Sequence, residues 1–297
     1  MTAYRITHRT TYSYDDEVTD SLGIAHLVPR ALPWQTVSSY DVAVTPAPVD
    51  LSHDTDYYGN LATYFQVTDP HTRLEIEAVS EVDVTAPVVA PALLSVEWGR
   101  ARPLLSPGQP GAWRAADFAL PSTSVEQVDE ARSYAESSFE PHRPIGEAVI
   151  DLMHRIHADF EYDHTATTVT STVGEVLSTR AGVCQDFAHL TLACLRSQGL
   201  SARYLSGYLS TLPAPGRPRV VGADASHAWV AVWLPDVSGA TEGDWLAFDP
   251  TNDQLADDRY VTVAWGRDYA DVPPVKGVIF TEAKKSTLLV SVDVAPV

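Results

Sequence analysis

Arg180-Ala181-Gly182-Val183-Cys184-Gln185-Asp186-Phe187-Ala188-His189-Leu190 reads as a glycine-punctuated turn running straight into a helix. The helix continues through Thr191-Leu192-Ala193-Cys194-Leu195-Arg196-Ser197-Gln198 and stops at Gly199, a residue suited to a C-terminal cap. Gly182 frees the backbone just ahead of the first turn. Cys184 therefore falls at or near the helix N-terminus, where unpaired N–H groups and the positive end of the macrodipole favour an anion. A free thiol has a pKa of ~8.5, and such a position can lower it by one to several units. Cys184 is thus a candidate thiolate nucleophile. The competing reading is a small buried hydrophobe, which is what most free cysteines are.

A thiolate needs a base, and the base needs an orienting group. His189 lies five residues on, about 140° round the helix axis from Cys184. It cannot easily reach the sulfur and reads as a core or supporting residue. His227 is better placed. In Ser226-His227-Ala228-Trp229-Val230-Ala231-Val232-Trp233, the residues Ala228, Val230 and Val232 form an apolar face. His227, Trp229, Ala231 and Trp233 point the other way. The next strand, Trp245-Leu246-Ala247-Phe248-Asp249-Pro250, turns Leu246 and Phe248 to the core and Asp249 to the His227 side. An antiparallel hairpin over residues 235–244 lands Asp249 opposite or diagonal to His227, roughly 5–8 Å between Cβ atoms. Without the cysteine, the same pair reads as a surface histidine and a turn aspartate.

The chain has 297 residues, 45% of them hydrophobic, enough for two domains or one large one. A net charge of -19 opposes binding to nucleic acid or to anionic membranes, since both need clustered Lys and Arg. Met1 to His8 is half polar and no run of 18 apolar residues occurs, so a soluble, unexported, cytoplasmic protein is expected. The two cysteines, Cys184 and Cys194, are separated by roughly 15 Å of helical rise. A disulfide needs Cα atoms within about 7 Å, so they cannot pair.

Residues 1 to about 90 look all-β. Tyr4, Ile6, His8, Thr10, Tyr12 and Tyr14 alternate as one face of a strand, and Asp15-Asp16-Glu17 breaks the run. Further strand-like runs separated by Pro, Gly and Asn suggest a small antiparallel sandwich. Residues 91–121 are rich in Pro and Gly and make the best boundary. Past them the pattern turns helical: Ser124 can cap a helix through Ser137, and Pro144 opens a second. Short strands follow residue 200, and Lys276 to Val294 ends in strands. The division expected is an N-terminal β domain over 1–115 and a core over 116–297 that includes the C-terminal strands. Two patterns read weakly as metal sites. His154 and His157 share a helix face, but no second pair of ligands accompanies them. Asp249, Thr251 and Asp253 alternate like an EF-hand start that lacks its glycine and glutamate.

The order Cys, His, Asp now matters. Gly182-Val183-Cys184-Gln185-Asp186-Phe187-Ala188-His189-Leu190, Ala225-Ser226-His227-Ala228-Trp229-Val230 and Phe248-Asp249-Pro250-Thr251-Asn252 together resemble the bacterial transglutaminase-like superfamily. Tyr4-Arg5-Ile6-Thr7-His8, Leu27-Val28-Pro29-Arg30 and Tyr58-Gly59-Asn60 resemble the β domain that precedes the core in these proteins. Gly266-Arg267-Asp268-Tyr269-Ala270-Asp271-Val272-Pro273-Pro274 resembles the segment that follows it. The resemblance implies an α+β chain: an N-terminal antiparallel β-sandwich, then a papain-like core with the cysteine's helix packed on an antiparallel sheet. It places the family's catalytic Cys, His and Asp at Cys184, His227 and Asp249. The Cys184 backbone N–H is the expected oxyanion donor, with Tyr162 as a second. Trp229, with Trp233, is expected to line the substrate or acceptor site. No metal or organic cofactor is implied, and the expected partner is a protein or peptide substrate. Gln185 stands where animal transglutaminases carry Trp, which favours hydrolysis by a peptidase or amidase. An amine-accepting transglutaminase and a non-catalytic binding module are the alternatives.

Overall fold

The alternation that begins at Tyr4, Ile6 and His8 continues as one long strand, β1 (Thr2–Ala25), through the acidic stretch expected to end it. The computed structural model describes residues 1–168, 170–211 and 226–297. Four more strands complete the N-terminal part: β2 (Gln35–Thr45), β3 (Asp50–Thr55), β4 (Leu61–Val67) and β5 (His71–Val84). The connector holds the short helices α1 (Pro91–Leu94) and α2 (Ala112–Ala115). Helices α3 (Asp129–Glu136), α4 (Ile145–Asp159), α5 (Val173–Thr179) and α6 (Cys184–Ser197) follow. Two short parallel strands, β6 (Glu161–Tyr162) and β7 (Ala181–Gly182), lie between them. The core sheet comprises β8 (Ala202–Leu209), β9 (Ser226–Leu234), β10 (Asp244–Asp249), β11 (Gln254–Leu255) and β12 (Tyr260–Gly266). The last strands are β13 (Val275–Thr281) and β14 (Ser286–Pro296).

The N-terminal layer is one antiparallel sheet of seven strands, curled about β1. Residues 2–14 of β1 lie between β5 and β14, and residues 18–25 between β4 and β13. The register on β5 shifts between Ser13 and Val18, where Asp15 accepts hydrogen bonds from the N–H groups of Lys284 and Lys285. This irregularity is what the acidic stretch produces in place of a strand end. The curl brings Val42, Val44, Leu74 and Ile76 against Phe65 and Val67 in a small core of their own. The same face, further along these strands, carries Tyr4, Ile6, Val82, Val292 and Val294 into the helical core.

The C-terminal strands, expected to go with residues 116–297, are joined to the N-terminal sheet. Among the described residues, β13 and β14 pair with β1 alone. Ser124 is likewise not a helix cap. Its N–H donates to Asp268 at 2.6 Å within a turn closed by hydrogen bonds between Ser122 and Val125, and α3 starts at Asp129.

The core sheet runs β11-β10-β9-β8-β12, with every neighbouring pair antiparallel. α6 is buried nearly all round, as a helix at the centre of a domain must be. Several of its buried polar side chains are spent on backbone partners. Arg196 donates to the carbonyls of Phe118, Ala202 and Arg267, and His189 accepts from the Tyr269 N–H. Gly199 adopts the left-handed conformation just past the helix end, as the C-terminal cap requires. Among the described residues, no helix is long and apolar enough to cross a membrane.

Candidate active site

Cys184 is the first residue of α6 and is half-buried. The turn that delivers it is held by Asp186, whose carboxylate accepts from the Val183 N–H at 2.8 Å and from the Thr167 hydroxyl at 2.6 Å. Gly182 is needed here for lack of bulk. A Cβ at this position would stand 2.8 Å from an Asp186 oxygen and 2.9 Å from its Cβ.

The hairpin of β9 and β10 pairs Phe248 with Val230, which sets Asp249 diagonal to His227 on the same face. His227 Nε2 lies 2.7 Å from Asp249 Oδ2. Asp249 is fully buried and accepts four further hydrogen bonds. Oδ2 takes the Tyr260 hydroxyl at 2.7 Å and the Asn252 side-chain amide at 2.6 Å. Oδ1 takes the N–H groups of Thr251 at 2.8 Å and Asn252 at 3.3 Å. Burial alone pushes this carboxyl up. The hydrogen bond and charge of His227, with the Asn252 and Tyr260 donors, outweigh it and hold the pKa below the usual carboxylate value. An ionised carboxylate only accepts, so Nε2 carries its proton and donates. Burial likewise works against the imidazolium. Hydrogen bonds to Asp249 and to Cys184, together with their charges, reverse this and raise the His227 pKa. Cys184, His227 and Asp249 are thus brought together from a helix start and two adjacent strands.

The remaining expected residues fall in different places. Trp229 lies inside the protein. It is fully buried and stacks beneath the His227 ring at 6.1 Å and 21°, with Tyr260 edge-on to it at 5.3 Å. Trp233 is buried as well, its indole N–H donating to the Glu242 carbonyl. Alternation gave their face correctly, but Ala256, Tyr260 and Trp265 cover it at Trp229, and Ala112 and Ala115 cover it at Trp233. Tyr162 is 57% exposed and packs edge-on to Phe187 at 6.5 Å. Burial raises its pKa first and the nearby Cys184 second.

His154 and His157 hold the turn after Asp249. His157 Nδ1 bonds the Thr251 carbonyl at 2.9 Å and His154 pairs with Asp253. The two aspartates of the EF-hand-like pattern, Asp249 and Asp253, are therefore engaged in the protein's own contacts. Two supports of the site had no role in the sequence reading, Asn252 and Tyr260. Asn252 had a usable signal, because an aspartate before Pro tends to bind backbone N–H groups two residues on. Tyr260 had none, since its partner lies across the fold.

Residues 4–83 match the bacterial transglutaminase-like N-terminal region, and residues 132–250 match the transglutaminase-like superfamily. The chain is 49% identical over 298 residues to an uncharacterized protein of Mycobacterium tuberculosis, covering 99% of this chain and 92% of that one. An uncharacterized protein of Mycobacterium leprae is 32% identical over 281 residues, covering 94% of this chain and 93% of its own. The crystal structure of a candidate cysteine protease from Cytophaga hutchinsonii is 22% identical and has the same fold, with a TM-score of 0.75. The match covers 99% of this chain and 90% of that chain.

Proposed function

This chain belongs to the transglutaminase-like superfamily, and on that premise we propose that it is a cysteine enzyme hydrolysing amide or peptide bonds through Cys184, His227 and Asp249. The observation that carries the reading is the two-sided bonding of His227, with Asp249 on Nε2 and Cys184 as its other partner. With Nε2 occupied, Nδ1 is the nitrogen left for the thiol.

In this reading Cys184 Sγ attacks the carbonyl carbon, and the thiol proton passes to His227 Nδ1. The oxyanion accepts the Cys184 backbone N–H, a free donor of the first helical turn. Tyr162 is the proposed second donor. The C–N bond then breaks and His227 returns its proton to the leaving amine. Water, deprotonated by the same nitrogen, attacks the thioester and releases the acid. Asp249 holds the ring and stabilises its cation throughout.

Hydrolysis is preferred over amine transfer because Trp229 and Trp233, the residues able to wall a dry acceptor tunnel, are packed into the sheet. The test is partitioning. An amide donor is supplied with millimolar primary amine, and free acid is measured against amine adduct. Acid should dominate; dominant adduct would make the protein a transamidase. Absence of turnover on a broad peptide and amide library, with Cys184 still open to alkylation, would favour a binding module.

A further inference from the structure

The motifs Leu27-Val28-Pro29-Arg30 and Tyr58-Gly59-Asn60 take no part in the chemistry above, yet both meet the same strand of the core sheet. β12 pairs with β8 on one side, and a bulge between Thr262 and Ala264 interrupts its register. Among the described residues, its other edge has no strand beside it. Two buried side-chain amides of the N-terminal part take that place. Gln35 donates to the Thr262 carbonyl at 2.7 Å and accepts the Thr262 N–H at 2.8 Å. Asn60 does the same for Trp265, at 2.9 Å in each direction. The Arg30 N–H adds a second bond to the Thr262 carbonyl, and its guanidinium lies 3.5 Å over the Trp265 ring. Each amide offers a donor and an acceptor to one residue, as a neighbouring strand would. A bulged edge left unpaired in this buried setting would forfeit those bonds and become mobile.

Tyr260 opens the same strand, two residues before Thr262, and reaches Asp249 from it. We propose that the N-terminal β domain is a positioning element for the triad: Gln35 and Asn60 fix β12, and β12 holds the Tyr260 hydroxyl on Asp249. Gln35 and Asn60 touch no reacting atom and act only through Tyr260. The proposal rests on the triad reading above.

The experiment uses the full chain and two readouts that need no known substrate. One is the rate of Cys184 alkylation by iodoacetamide at neutral pH. The other is the low-field proton resonance of the hydrogen-bonded His227 Nε2–H. Gln35→Leu and Tyr260→Phe should each slow alkylation by about tenfold, since small misplacements of a reacting pair cost that much or more. Each should also shift or broaden the resonance. The double variant should be no slower than Tyr260→Phe alone, because both act on one path. Val42→Ala, which weakens the separate core of the N-terminal sheet, should leave both readouts unchanged. If Gln35→Leu does not fold, Gln35→Glu replaces it, keeping the acceptor and losing the donor. Wild-type readouts in the folded Gln35 variant, or equal changes in Val42→Ala, overturn the proposal. An alkylation rate unchanged by His227→Ala would instead bring down the triad reading, and this proposal with it.

Discussion

Asp249 Oδ2 stands 2.7 Å from His227 Nε2, and that one bond settles which face of the imidazole is free. A buried carboxylate saturated by five donors cannot rotate to another partner without leaving several of them unpaired. The ring therefore has one orientation.

Asp249→Asn should keep the fold and lower activity by about 10²–10⁴. An asparagine places an amide donor or a weaker acceptor against Nε2, and the charge that stabilises the imidazolium is gone. Cys184→Ala and His227→Ala should each lose nearly all activity, with the double variant little worse than either. Full activity in Asp249→Asn would hand the orienting role to another residue.

The two cysteines should differ sharply towards alkylating agents. Cys194 is fully buried mid-helix, and burial pushes its thiol up to about 12. Cys184 is only half-buried, at a helix start beside His227. Peptide mass spectrometry after brief alkylation of the native protein should find the label on Cys184. Equal labelling of Cys194 would contradict the burial seen here.

Trp229→Ala should destabilise the protein by about 3–5 kcal/mol, the usual cost of emptying a buried aromatic site. Thermal unfolding measures this directly. A variant with an unchanged melting temperature but a weakened Michaelis constant would return Trp229 to the substrate surface.

Stability should fall as pH drops from about 6.5 towards 4. Burial holds both His8 and His189 down to about 4, with Asp268 opposing it at His189. In the unfolded chain each titrates near ~6.5. Between these values the unfolded state binds more protons, so stability rises with pH across the window and is lost on acidification. His227 has the opposite sign. Its raised pKa makes the native state the better proton binder above about 6.5, and its contribution is lost as pH rises through the folded value. Melting temperatures of His8→Gln/His189→Gln should vary less between pH 6.5 and 4 than those of the parent. An equal slope would assign the acid sensitivity elsewhere.

Residues 1–115 expressed alone should not give a cooperative thermal transition. β1 would lack β13 and β14, and Tyr4, Ile6, Val82 and Val84 would lose the helices they pack on. A sharp melt from that fragment would restore an independent N-terminal domain.

The pairing of His227 with Asp249 was legible because it is local. Strand alternation assigns the faces, and one hairpin brings them together. Cys184 was legible for the same reason, from glycine, helix start and apolar run. Burial of Trp229 was not, because periodicity names a face without saying what covers it. Gln35 on Thr262 and β14 on β1 join residues far apart in sequence, and Tyr260, though only 11 residues from Asp249, reaches it from a strand that does not pair with β10; no local pattern encodes these contacts. Loop chemistry misled at Ser124, where a tight turn tied to Asp268 replaced a cap.

The pairing of Tyr4 with Pro296 also sets a timetable. As the chain leaves the ribosome, β5 meets β1 early, whereas residues 286–296 arrive only after the nucleophile's helix and the whole core sheet have been made. Through that interval β1 carries an open row of peptide groups, a template for strands of any neighbouring nascent chain. Closure must also join segments at nearly the greatest sequence separation the chain allows, which slows the search. Folding on translation is therefore expected to lag behind synthesis, with chaperones guarding one edge of one strand until its distant partner appears.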